Sequence, residues 1–439
     1  MQFKFKAWGM LGMALWTLPL LLATEPTSVD AGKQRQIDDV FDIKHDLILI
    51  RKGKAAAFAF VEKEFAHDPR PHIKARYGED LMNGKYAGAP DGRADEGRTL
   101  LNEAHDAGSL FASRAIGWIL LDPRTSEFNA DIGINYMTAA ADAGYADAMV
   151  YLGKTYQFGR GLPVDSDAAE TWFLRAARLG NPWPLFTLGE NFEKGTRPQP
   201  LNLEKAAEIY YQAAIYGSAE AAGRLKELAG RTDAIPAIKR SHQLVVLWYA
   251  SLGASYQTPI VKMAANELEA AYPEDPVVLG ALGRMYASGF CGFRDFPKAF
   301  ALLSKAAGLG SDDARAERAT LLAEGMGTKK DPAKAAAEWH ALETKGNAEA
   351  LAALGYYHYW GALKDAGLTQ DAALTYQDSK RAADSGNYFG QRNTGACYEF
   401  GIGVEMNYAL AAHYYMAGAQ RGDKRSRDKL PKVLAHALD

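Results

Sequence analysis

Residues Tyr151–Gly180 read YLGKTYQFGRGLPVDSDAAETWFLRAARLG, and their reading decides the fold. The stretch holds a Gly-x-Gly beside an acidic residue and an amphipathic run, so it could be a phosphate-cradling loop or one copy of a structural unit. A P-loop needs a preceding strand and a following Lys-Ser/Thr, and neither is present. Recurrence points to the structural unit. Leu152-Gly153 returns as Leu188-Gly189, Leu282-Gly283, Ala319, Leu354-Gly355 and Thr394-Gly395, and it is preceded by Tyr77-Gly78 and Ile116-Gly117. Most steps are 36 residues. Eight units are clear, and a ninth near Leu225 is degenerate.

Each unit ends in a second glycine: Gly108, Gly144, Gly180, Gly217, Gly310, Gly346, Gly386 and Gly422. Fifteen residues before the last seven stand Asn129, Asp165, Asn202, Asp295, Asp331, Asp371 and Asn407. Such side chains start helices, because their oxygen accepts a bond from a free backbone N–H, worth about 1 kcal/mol. Only the first unit departs, with Arg93 in that slot. Four residues beyond each cap comes a small residue, from Gly133 to Ala411, where two backbones approach. Six residues past the central small residue lies a glycine suited to ending a helix, as at Gly159 and Gly325. Every unit therefore reads helix, glycine turn, capped helix, stop.

The pattern resembles the Sel-one-like repeat (SLR) family, related to the tetratricopeptide repeat. Ala148, Leu152, Gly153, Tyr156, Gly159, Gly161, Asp165, Ala169, Ala176, Ala177 and Gly180 match the family motif slot for slot. The resemblance implies an all-α fold, a right-handed α/α superhelical solenoid of about 8–9 helix-turn-helix repeats, whose usual task is holding other proteins. The spacing of 57 between Leu225 and Leu282 predicts an irregular joint near the middle.

The expected organisation is a signal peptide over 1–31, N-terminal capping helices over 32–72, a first array over 73–230, the helical joint over 231–276, a second array over 277–422 and a C-terminal capping helix over 423–439. Lys4 and Lys6 precede an apolar run from Ala7 to Leu22, which is the form of a secretory signal, with cleavage expected after Ala23 or Ala31. No later apolar run is long enough to span a bilayer. The expectation is an exported, periplasmic protein without a transmembrane segment in its mature form, the alternative being a protein anchored to the membrane by an uncleaved signal. A net charge of −3 gives no footing for nucleic acid. Four extra residues between Gly355 and Gly386 fall in WGALKDAGLTQD, a loop expected to protrude.

Little points to catalysis. The histidines show no metal-ligand spacing, and no cofactor motif appears, so no metal or cofactor is expected. Ser426 and Lys429 form a lone Ser-x-x-Lys without its companion motifs, leaving a serine-type hydrolase as the weakest reading. Cys291 and Cys397 lie three units apart, a gap of about 30 Å at ordinary helix spacing, beyond the roughly 7 Å that a disulfide spans.

Binding has more support. Positions −6, −3, +1 and +4 from each central glycine share a helical face that lines the concave side of a solenoid. They supply Phe111, Arg114 and Trp118 in one unit, Trp183, Phe186, Glu190 and Glu193 in another, then Tyr356, Tyr359, Phe389, Arg392 and Glu399. Aromatics and arginine anchor protein interfaces. The expected function is a scaffold binding a protein or envelope component, as an adaptor in envelope signalling or exopolysaccharide assembly. The alternative is an immunity protein that neutralises a toxic effector such as a secreted phospholipase. His358 occupies a slot that elsewhere holds Leu, Phe or Tyr, and is expected to be a hydrogen-bonded core residue.

Overall fold

The computed structural model describes residues 29–196, 198–253, 258–289, 292 and 294–437, with the side chains of 29–37 and 86 left aside. The predicted export segment up to residue 28 and Cys291 lie outside the described residues. Twenty-two α-helices run from Val29–Lys52 to Lys424–Ala437, and the only β-pairing among the described residues is one isolated bridge. The fold is all-α, with helices packed pairwise as repeats.

The caps explain where the second helix of each repeat begins. Asp165 lies in extended backbone and accepts from the N–H groups of Asp167 and Ala168, starting the helix Ser166–Arg178. Asn129, Asn202, Asp295, Asp331, Asp371 and Asn407 do the same for their helices. Arg93 makes no such bond. First helices are also capped, by Ser109, Ser218, Asp275, Ser311, Asn347 and Asn387. Gly159 ends its helix with φ +66°, a left-handed conformation that side chains resist. The Gly-x-Gly of the opening stretch is a helix stop.

Within a repeat, the central glycine receives the side chain eight positions beyond the cap. A Cβ on Gly153 would run into the Phe173 ring, and one on Gly283 would lie 2.6 Å from Leu303. The glycine lets the two helices close on a large residue, so Phe173, Tyr210, Leu303 and Tyr415 are buried, and Trp339 is buried likewise in the repeat whose central residue is Ala319. Trp339 also donates from Nε1 to the Ala316 carbonyl at 3.1 Å, satisfying its one polar atom.

The described residues form two compact units, divided after Pro184. The first contains the helices Val29–Lys52 and Lys54–His67, followed by repeats up to Ser166–Arg178. Its N-terminal core joins Phe41, Phe58, Val61, Ile73, Tyr77 and Leu81. The second runs on to Lys424–Ala437 and includes the two helices of the irregular segment, Pro236–Ser251 and Thr258–Ala271.

The loop after Trp360 does not simply protrude as its extra length suggests. Leu363 and Leu368 pair in the isolated bridge and are buried in the core with Trp339 and Tyr357, which pulls the loop down. His358 is buried, and its Nδ1 lies 3.1 Å from the Thr369 carbonyl.

The second unit closes on itself. Arg421 gives its Nε hydrogen to the Ile215 carbonyl at 3.2 Å, across 206 positions of sequence. Its guanidinium covers the Tyr216 ring at 4.5 Å. The ring of Trp248 meets that of Tyr388 edge-on, centroids 5.9 Å apart. The helix Leu203–Ile215 and the segment after Tyr408–Gln420 therefore meet, and helix ends border a space beside them.

Candidate binding site

In the first unit the inner face is a wall of charge. His72 Nε2 lies 3.0 Å from Asp42 Oδ2, and His45 Nδ1 lies 2.7 Å from Asp46 Oδ1. Arg76 reaches the same His45 nitrogen at 2.6 Å. Arg114 Nη2 gives hydrogens to both Glu79 oxygens at 2.7 Å and stacks over Phe111 at 4.4 Å. Burial would discharge these groups, but pairing decides which keep their charge. Burial opposes the Asp42 charge, yet His72 and Arg76 outweigh it and hold that carboxyl below its usual range. Asp80 and Asp147 are less well compensated, and burial pushes each up to about 6.

Of the residues expected on this face, Phe111 and Arg114 are buried, whereas Trp118 is 42% exposed beside Tyr151. Arg114 is thus a structural ion pair, occupied by Glu79 and covered by the fold. Trp183 is exposed and Phe186 is buried.

In the second unit several expected contacts are spent on internal ties. Glu190 holds Lys194 at 2.7 Å. Glu193 accepts from Tyr210 Oη at 2.7 Å and from Arg224. Glu399 is buried, accepting from Tyr415 Oη at 2.6 Å and from Lys429. Arg392 pairs with Asp423 at 3.1 Å while its guanidinium covers Phe389 at 4.4 Å.

The aromatic members do gather. Tyr356 lies 5.7 Å from Phe389 and 6.4 Å from Trp360, and Tyr359 lies 4.8 Å from Trp360, ring to ring. Tyr356, Tyr359 and Trp360 remain 39%, 38% and 59% exposed, so neighbouring repeats present one aromatic surface to solvent. Single exposed apolar residues are ordinary, whereas these three rings form one contiguous group.

The inner space of the second unit is a cavity of about 230 Å³ that is partly open to solvent. Arg284, Glu317, Glu349, Trp248, Tyr388 and Arg421 are among its lining residues. Arg284 gives its Nε hydrogen to Glu317 at 2.8 Å and stands 3.9 Å from Glu349. Burial pushes the Glu349 carboxyl up to about 7 and the Tyr388 hydroxyl up to about 12. None of these residues was singled out from the sequence. The signal was there for two of them, since the concave offsets applied to Gly283 and Gly355 give Arg284 and Glu349. Trp248 and Arg421 carry no such mark, because only chain closure brings them in.

Ser426 is fully buried, and Lys429 is turned to Glu399 at 3.2 Å, which leaves the Ser-x-x-Lys pair without an accessible nucleophile. Among the described residues, no group of three or more His, Cys, Asp and Glu side chains is placed to hold a metal ion. No helix there is long and apolar enough to cross a membrane.

Capped helix pairs stacked as repeats define an α/α repeat scaffold. The Sel1 repeat family model matches residues 146–181, 185–215, 279–311, 313–341, 348–387 and 389–423. The chain is a Sel1-like repeat protein. Among solved structures it is similar to a protective antigen of uropathogenic Escherichia coli displaying an SLR fold, at 17% identity over 94% of each chain and a TM-score of 0.34. A Sel1 repeat protein from Oxalobacter formigenes is 22% identical over 76% of this chain and 90% of its own, with a TM-score of 0.29.

Proposed function

We propose that this scaffold is exported to the periplasm and holds a partner protein on the aromatic surface of the helices Ala348–Trp360 and Tyr388–Phe400. The fitting role is an adaptor in envelope signalling or exopolysaccharide assembly. The observation that carries this reading is the exposed set Tyr356, Tyr359 and Trp360, backed by Phe389 and the Arg392 guanidinium. Rigid aromatic side chains lose little entropy on binding and bury large areas, which is why they dominate interface energies. Export is supported by Lys4, Lys6 and the apolar run from Ala7 to Leu22.

The test is affinity capture from envelope extracts by the mature chain, with capture measured again for Trp183→Ala, Tyr359→Ala and Trp360→Ala. Loss of one specific partner with the Tyr359 and Trp360 variants supports the surface. Unchanged capture in all three variants rejects it. A captured lipolytic enzyme that is inhibited in the complex would replace the adaptor role with immunity. N-terminal sequencing of the fractionated protein tests export, with cleavage expected after Ala23 or Ala31.

A further inference from the structure

The cavity of the second unit contains two hydrogen-bond donors that the fold leaves unanswered. Arg421 is 7% exposed, and its Nη1 has no hydrogen-bond partner among the described residues. Trp248 Nε1 is likewise buried without a partner. Both residues line the same cavity, and the Arg421 guanidinium lies 5.9 Å from the Trp248 ring. Leaving a buried donor unmet is costly, and a buried charge without a counter-charge is costlier still.

The charged groups lining the cavity are Arg284 and Arg421 on one side of the balance and Asp313, Glu317 and Glu349 on the other. Glu317 and Glu349 face Arg284, which pairs with both. Arg421 makes no close ion pair among the described residues, its Nε is taken by the neutral Ile215 carbonyl, and the carboxyl that acts on it from further off is Glu349. Burial accordingly lowers the affinity of Arg421 for its proton. The helices Pro276–Ser288, Asp312–Glu324, Ala348–Trp360 and Tyr388–Phe400 all bring their first turns to this cavity, through Val277, Asp313, Glu349 and Tyr388. Helix N-termini carry partial positive charge. Four of them border the cavity that Arg421 lines, and the raised Glu349 carboxyl holds its proton more readily than a free one and so offsets less of the guanidinium charge.

We propose that this cavity is a binding site for a small oxyanion group, a carboxylate or phosphate, whose oxygens accept the free hydrogens of Arg421 Nη1 and Trp248 Nε1. The volume of about 230 Å³ admits a ligand of a few heavy atoms or the end of a peptide. Tyr388, edge-on to Trp248, closes one side of the anion position. The site is separate from the aromatic surface, so loss of partner capture there leaves anion binding untouched.

The test is isothermal titration of the mature chain, at constant ionic strength set with chloride, using four probes: succinate, inorganic phosphate, and trialanine with a free or an amidated C-terminus. The expected result is saturable binding of at least one oxyanion probe. Trp248→Phe keeps the ring and removes only the N–H, and it should weaken binding roughly tenfold, the size of one hydrogen bond to a charged group. Arg421→Gln should weaken it at least as much. Succinate or phosphate binding without the tripeptide acid identifies a small-molecule source. Preference for the tripeptide acid over its amide identifies a chain terminus. Should Arg421→Gln fail to fold, Trp248→Phe decides alone. No saturable binding by any probe, or equal affinity in wild type and Trp248→Phe, overturns the proposal.

Discussion

Gly217 and Gln420 touch where the second unit closes: a Cβ on Gly217 would lie 2.9 Å from the Gln420 carbonyl oxygen. Gly217 also holds φ +103°, so an added side chain meets both backbone strain and a neighbouring backbone. The stop glycine of one repeat is thereby also the contact point of another.

Gly217→Ala should therefore loosen the closure without removing a hydrogen-bonding group. The expected loss is about 1–3 kcal/mol. Hydrogen exchange should speed up in the helix Tyr408–Gln420 and in the Arg421 segment, and much less in the Thr258–Ala271 helix. Equal acceleration throughout would mean that this contact does not close the unit.

Gly153→Ala should cost about 1–3 kcal/mol by overpacking against Phe173. Phe173→Leu should recover part of that cost in the double variant, because the offending ring is gone. Urea unfolding of the four members of the cycle measures the coupling, and additive losses would contradict the contact.

Asp80 gives the first unit a pH signature. Its carboxyl titrates near 3.8 when free and is raised to about 6 in the fold, burial being the main cause. Between those values the folded state holds a proton that the unfolded state has released. This residue's contribution to stability therefore falls as pH rises from about 4 to 6, then levels off. Asp80→Asn should stabilise the protein at pH 7 relative to wild type, with the advantage shrinking toward pH 4. The difference between the two melting curves isolates Asp80 from Asp42, held low and acting in the opposite sense, and from His72, whose raised pKa makes its contribution fade toward high pH.

Cys397 is buried and free, and burial pushes its thiol up to about 12. It should resist a disulfide reagent at pH 8 in the folded protein and react on unfolding, since only the thiolate attacks. Peptide mapping after labelling reads the outcome. Rapid native labelling of Cys397 would show that its helix opens readily.

The legible part of the fold was local. Asp165 and Asn407 could be placed at helix starts because capping involves only the next three residues. Gly159 could be read as a stop because a left-handed residue is a property of one position. Tyr356 and Tyr359 could be placed on an exposed face from helical period alone. Phe111 and Arg114 share that period but are buried, and the sequence does not show whether a neighbour covers a face. The loop holding Leu363 and Leu368 shows the same limit, since its length indicates extra chain and its packing shows where that chain goes.

By itself the sequence determined the repeat, its period, its helix boundaries and the glycines on which paired helices close, because each follows from interactions spanning a few turns. The tertiary structure alone decided that Arg421 would meet Ile215 and that Trp248, Arg284 and Glu349 would share one cavity. Small rotations between successive repeats add up over many helices, and their sum is set by packing across the whole unit rather than by any one motif.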